Sequence, residues 1–193
     1  VAAVAAVVVA VAFWRLYPPT DGTGSLAVPD VRSLSVDRRY VALVAAGFFF
    51  GVAVYTTTGY VVPHLTESVG AAAGGAGLVL AGVQVTGSLG RLGGGTVADR
   101  LPGTDVRANA VVLVVQAGGA AACYVAVARV ESPLAAAAVF AALGAFILGF
   151  PGVFYGCMTA LVPDERIGEA TAAGQAVMNL GGLLSPPAFG YLA

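Results

Sequence analysis

Arg91 stands inside a long apolar stretch, and the polar residues around it recur at helical spacing: Gln84, Ser88, Arg91, Gly95 and Asp99. At about 100° per residue these positions fall within a sector of roughly 80°, so nearly all the polarity of stretch 72–98 forms one stripe. A guanidinium presents its N–H donors as a planar fork that matches a carboxylate, which a lysine ammonium does not. Hydroxyls and amides around it would complete a pocket for a small organic anion. Such groups occur on other apolar stretches: Tyr55, Thr58 and Tyr60 on one, Gln116 on another, Tyr155 and Thr159 on a third, and Thr171, Gln175 and Asn179 on the last. Each can equally make an interhelical hydrogen bond. Arg91 itself can snorkel to the aqueous edge or pair with Asp99, roughly 12 Å further along the axis. Substrate contact requires instead that it face a wet cavity.

The elements that must position these groups are membrane helices. Of the 193 residues 59% are apolar and 10% are charged, where a soluble domain carries roughly 25% charge. Mean hydropathy is +0.90. These values argue against a water-soluble globular domain. Glycine, at 27 residues, suits helix backbones that approach closely in lipid, and Gly47/Gly51, Gly90/Gly94 and Gly152/Gly156 have the small-xxx-small spacing of plain helix packing. Crossing ~30 Å of hydrocarbon takes ~20 helical residues. Complete candidates lie at about 40–63, 72–98, 107–128, 133–162 and 169–193. Residues 1–17 read as the end of a further helix whose start is missing, so the chain is expected to be a fragment. Residues 18–39, with Pro18-Pro19 and Asp21-Gly22, read as a surface linker. Pro151 and Pro186-Pro187 are expected to kink their helices. The expected fold is thus all-α, a polytopic transmembrane helix bundle.

Several other chemistries are disfavoured. Net charge is −1 with no Lys and nine scattered Arg, which lacks the clustered basic surface that nucleic acid needs. Cys123 and Cys157 both lie in apolar runs and read as packing residues, and no metal site or cofactor is expected. His64 and Glu67 are three apart, but two ligands at a helix end are too few for a metal; an interfacial polar pair is the plainer reading. The run Gly93-Gly-Gly95-Thr-Val-Ala98 fits a dinucleotide-binding pattern only by letter, since it lies inside an apolar span and not between a strand and a helix. A single His leaves no cluster for a membrane-embedded enzyme. Glu67, Asp99, Glu131 and Glu169 all lie at span ends, so no proton-coupling carboxylate is expected within the spans.

Orientation follows from the arginines, because basic residues of short loops stay on the cytoplasmic side. Alternate connections hold Arg15, Arg32, Arg38 and Arg39, then Arg91, Arg100 and Arg107, then Arg166, while the intervening ones hold Arg129 alone. The linker is therefore expected inside. Asp99 then ends an inward-running helix where span 169–193 begins, within reach of that helix's positive N-terminal dipole.

The run Gly90-Arg-Leu-Gly-Gly-Gly-Thr-Val-Ala-Asp-Arg100-Leu-Pro-Gly103 resembles the signature loop of the major facilitator superfamily, in which Gly, three residues, Asp, a basic residue, one residue and Gly precede basic residues. Gly95, Asp99 and Arg100 match, Gly103 comes one position late, and Thr104-Asp105 stand where basic residues are expected. Leu161-Val-Pro-Asp-Glu-Arg166-Ile-Gly168 and Gly181-Gly-Leu-Leu-Ser-Pro-Pro-Ala-Phe-Gly190 are similar to the family's loop and helix near the end of its C-terminal half. The resemblance implies the C-terminal half of a twelve-helix fold: the end of helix six at 1–17, the inter-half linker at 18–39 and five helices across 40–193. It implies a secondary active transporter that moves a small solute across the plasma membrane by alternating access, in partnership with the lipid bilayer and the missing N-terminal half of the chain. Arg91 further resembles the carboxylate-binding Arg of the monocarboxylate and oxalate/formate branch, although the acidic residue found one turn earlier in monocarboxylate carriers is Gly87 here. The resemblance also implies that Asp99 holds the cytoplasmic side closed, with Arg100 orienting the loop. The expected substrate is an organic anion. The alternatives are a permease for an uncharged solute, drug efflux, and a channel or sensor on the same helices.

Overall fold

A computed structural model describes residues 2–16 and 37–192, among which there is helix and no strand. The linker expected at 18–39 lies mostly outside the described residues. Helix α1 spans Ala2–Leu16. Helix α2, Arg38–Pro63, starts where the Asp37 carboxylate accepts from the Arg39 N–H at 2.8 Å, and it continues into a single π-helical turn, His64–Ser68. Gly70, at φ +75°, turns the chain into α3, Ala73–Arg100.

Between α3 and α4 (Asp105–Val127) Gly103 has φ +123°, which favours glycine. Thr104 then caps α4 by accepting from the Arg107 N–H at 3.4 Å, and Asp105 lies in the first turn, where the dipole favours an anion. Thr104 and Asp105, the positions at which basic residues were expected, therefore serve helix initiation. Ser132 and Pro133 do the same for α5, Pro133–Ile147.

The single span expected at 133–162 is one crossing segment, Pro133–Thr159, interrupted at Leu148-Gly149, where both residues keep right-handed helical dihedrals. α5 stops at Ile147 and α6 runs from Phe150 to Thr159. Pro151 has no N–H to offer the Ile147 carbonyl, and its ring crowds that position. A short 3₁₀ turn, Asp164–Arg166, leads into α7, Ile167–Leu192. Pro186 and Pro187 do not break α7; the Ser185 hydroxyl donates at 3.4 Å to the Gly182 carbonyl that Pro186 leaves without its N–H.

Among the described residues four segments are long and apolar enough to cross a membrane: Arg38–Ser68, Ala73–Arg100, Asp105–Val127 and Pro133–Thr159. A complete span was also expected over 169–193. α7 has the length, at 26 residues, but Gln175, Asn179, Ser185 and the proline pair dilute its apolar content.

Backbone contact holds the bundle together. α2 lies along α7 so closely that a Cβ on Gly51 would overlap the Met178 carbonyl oxygen, and one on Gly181 the Phe48 carbonyl oxygen. At the α3/α5 crossing Gly90 meets the Ala145 carbonyl and Gly144 the Val83 carbonyl in the same way. Of the spaced glycine pairs, Gly152 alone has no atom within 4 Å of its would-be Cβ. Buried side chains form two clusters. One gathers Tyr40, Phe50, Val112, Phe150, Phe154 and Met158, with Phe50 and Phe150 stacked at 4.3 Å; the other gathers Val61, Leu65, Val83, Phe140, Leu143 and Ile147.

Candidate functional site

α3 buries Ala76, Val83, Gly87 and Ala98 and exposes Leu78, Val85, Leu89 and Leu92. The stripe lies between these faces, roughly a quarter turn from each: Gln84, Ser88, Arg91 and Asp99 are exposed and Gly95 is half-buried. The polar residues thus project from the packed unit instead of entering its core.

Arg91 is held at its root. Its Nε donates to the Leu148 carbonyl oxygen at 2.8 Å. A helix break leaves carbonyls outside the regular ladder, and the break at Leu148-Gly149 supplies this one. The crossing is tight: Gly87 faces the Leu148 side chain and Gly149 faces the Gly90 backbone. The expected alternative pairing with Asp99 is not formed; the ion pair among the described residues joins Arg166 and Glu169 at 3.1 Å.

The other candidates form a second group. Tyr155 of α6 donates to Gln175 Oε1, and Gln175 Nε2 donates to Asn179 Oδ1 at 2.9 Å, so these three form one chain of hydrogen bonds between α6 and α7. Asn179 and Tyr55 line a shallow hollow of about 560 Å³ with Leu180, Gly182 and Leu183, and the Tyr55 ring lies against Gly182. Serine and threonine hydroxyls among the remaining candidates are committed to their own helices, Thr58 to Val54 O, Ser88 to Gln84 O, Thr159 to Gly156 O and Thr171 to Ile167 O, while the Tyr60 hydroxyl donates to Pro186 O of α7 at 2.9 Å. Gln116 is 5% exposed and sits against Gly94 between α3 and α4, so it faces the interior of the bundle. Two contacts carry no sequence pattern that would have revealed them. The Tyr40 hydroxyl donates to Ala170 O at 2.9 Å, and Thr57 meets Tyr124 at 2.7 Å.

The signature-loop residues form a third place. Gly95, Asp99 and Gly103 border an open cleft of about 670 Å³ with Asn109, Gly152, Asp164 and Ile167. Asp99 and the start of α7 therefore face one space, as a carboxylate answering a helix dipole requires. Arg100 is exposed beside it.

No curated protein and no solved structure matches the chain. The family model described as Major Facilitator Superfamily matches residues 1–192. That match takes in the apolar helices, their glycine-lined crossings and the loop from Gly95 to Gly103. The chain belongs to the major facilitator superfamily and is a secondary membrane transporter of that type.

Proposed function

We propose that the transporter moves a small organic anion, a monocarboxylate or dicarboxylate, and that Arg91 is its cationic contact. The observation that carries this reading is the single bond from Arg91 Nε to Leu148. It fixes the guanidinium plane while the terminal nitrogens have no partner among the described residues, and a fork held in this way is prepared for a carboxylate's two oxygens. Gln84 and Ser88 extend the same exposed face, with Tyr55, Thr58, Gln175 and Asn179 as further contacts from α2 and α7.

We further place the chain as the C-terminal half of the family's fold, in the plasma membrane, with residues 18–39 and the Asp99 cleft on the cytoplasmic side. A second reading, an uncharged solute, draws on the Tyr155–Gln175–Asn179 chain, which offers hydrogen bonds without charge.

Binding to the purified full-length transporter separates the two. A radiolabelled monocarboxylate should bind with about ten- to hundredfold lower affinity in Arg91→Lys, the loss of a charged hydrogen bond being ~1.5–3 kcal/mol. An unchanged affinity would reject the anion reading.

A further inference from the structure

The connection between α3 and α4 sorts its charges by face. Asp99 and Asp105 line the open cleft of about 670 Å³. Arg100 lies about 100° round α3 from Asp99, and Arg107 about 200° round α4 from Asp105. Both arginines are exposed, and neither lines that cleft. Retention on one side of the membrane requires only that arginines sit at this end, not that they share a face. Arg107 also stands in the first turn of α4, where the helix dipole disfavours a cation. Neither guanidinium has a hydrogen-bond or ion-pair partner among the described residues.

The face they share carries a groove of about 400 Å³ between α3 and α4, two helices long and apolar enough to cross a membrane. Gly90, Gly93, Gly94 and Val97 form one wall, Val111 and Val115 the other. The three valines are exposed, and a Cβ on Gly93 would have no atom within 4 Å. The polar residue of the lining, Gln116, is buried behind Gly94. Arg100 follows Gly93 by two turns and Arg107 precedes Val111 by one, so both cations stand at the loop end of the groove. From Gly90 to Leu101 the groove runs roughly 16 Å at 1.5 Å per residue, about half of the ~30 Å of hydrocarbon. That is the depth of one leaflet.

An apolar channel one leaflet deep with two unpaired cations at its mouth is complementary to one class of molecule. We propose that a phospholipid with an anionic headgroup binds here, one acyl chain along the groove and its phosphate between Arg100 and Arg107. The glycines let the chain lie against helix backbone, where side chains would hold it off. A zwitterionic lipid would bring a cation of its own to the arginines, and a free phosphate would leave the groove unfilled.

The test uses the full-length transporter purified in detergent, with phosphatidylglycerol and phosphatidylcholine of identical chains added in equal amounts and retained lipid read by native mass spectrometry. Phosphatidylglycerol should be retained about tenfold over phosphatidylcholine, since one basic residue near an anionic headgroup is worth roughly fivefold in affinity. Arg107→Gln should lower that preference about fivefold, and Arg100→Gln with it should abolish the preference. Gly93→Leu, a change at an exposed position with room for the side chain, should fill the groove and lower retention of both lipids. Excess glycerol phosphate should not displace the lipid. Equal retention of the two lipids, retention of phosphatidylglycerol unchanged by the double arginine variant or by Gly93→Leu, or displacement by glycerol phosphate overturns the proposal.

Discussion

Arg91 Nε lies 2.8 Å from the carbonyl oxygen of Leu148, so the charged residue of α3 is bonded to the break between α5 and α6. One side chain thereby has two separable duties, bracing the break through Nε and presenting its remaining nitrogens outward. The first duty is measurable without any ligand. Arg91→Ala should lower unfolding free energy by ~1.5–3 kcal/mol, the range for hydrogen bonds to charged groups, read from the denaturation midpoint in detergent. A midpoint equal to that of the parent would mean the bond contributes nothing.

The α2/α7 and α3/α5 contacts predict a sharp contrast among glycines. Gly51→Ala and Gly90→Ala each drive a methyl into a backbone carbonyl and should destabilise the bundle by ~1–3 kcal/mol or more. Gly77, inside α3 with nothing within 4 Å of its would-be Cβ, should accept alanine with no loss. Equal thermal midpoints for all three variants would contradict the packing described.

Asp99 and the first residue of α7, Ile167, face the same cleft. A carboxylate near a helix N-terminus is worth ~0.3–1 kcal/mol, and up to ~2 when partly buried, so its loss shifts a balanced two-state equilibrium severalfold. Asp99→Asn should raise the population open at this end and slow net cycling while leaving substrate preference alone. The readout is the labelling rate of Ala160→Cys, an exposed residue on that cleft. A rate indifferent to Asp99→Asn would reduce Asp99 to a solvated helix end.

Topology is testable with two cysteines in a background carrying Cys123→Ala and Cys157→Ala. Ala160→Cys should react with an impermeant thiol reagent from the cytoplasmic side and Ser68→Cys from the other, as the arginine distribution requires. Labelling of both from one side would abolish the assignment, and an exchange of the two sides would invert it.

Helical periodicity made the α3 stripe legible, because burial and polarity both follow the 3.6-residue repeat that relates Gln84 to Ser88 and Arg91. The partner of Arg91 was not legible: a backbone carbonyl has no residue type, and only Pro151 hinted that carbonyls near Leu148 would leave the ladder. Pro151 announced a kink, and the helix is interrupted at Leu148-Gly149 while both residues keep right-handed helical dihedrals; Pro186-Pro187 were read alike and lie within one helix, where the Ser185 hydroxyl donates to the Gly182 carbonyl. Spacing also could not pair Tyr155 with Gln175, since helical repeat fixes which residues share a face but not which faces meet. The same limit hid the fate of Gln116, polar by type and enclosed by α3 in fact.

The break at Leu148-Gly149 falls at the seam between the two buried clusters. Every buried α6 side chain named in them belongs to one cluster, and every α5 side chain to the other. A continuous rod anchored in both would transmit a tilt at either end undiminished, and the two cores would have to move as one body. A rod interrupted at their boundary has its weakest point where the two cores meet. Bending at Leu148-Gly149 disturbs fewer ladder hydrogen bonds than bending inside α5 or α6, and the Arg91 side chain is bonded at that same place.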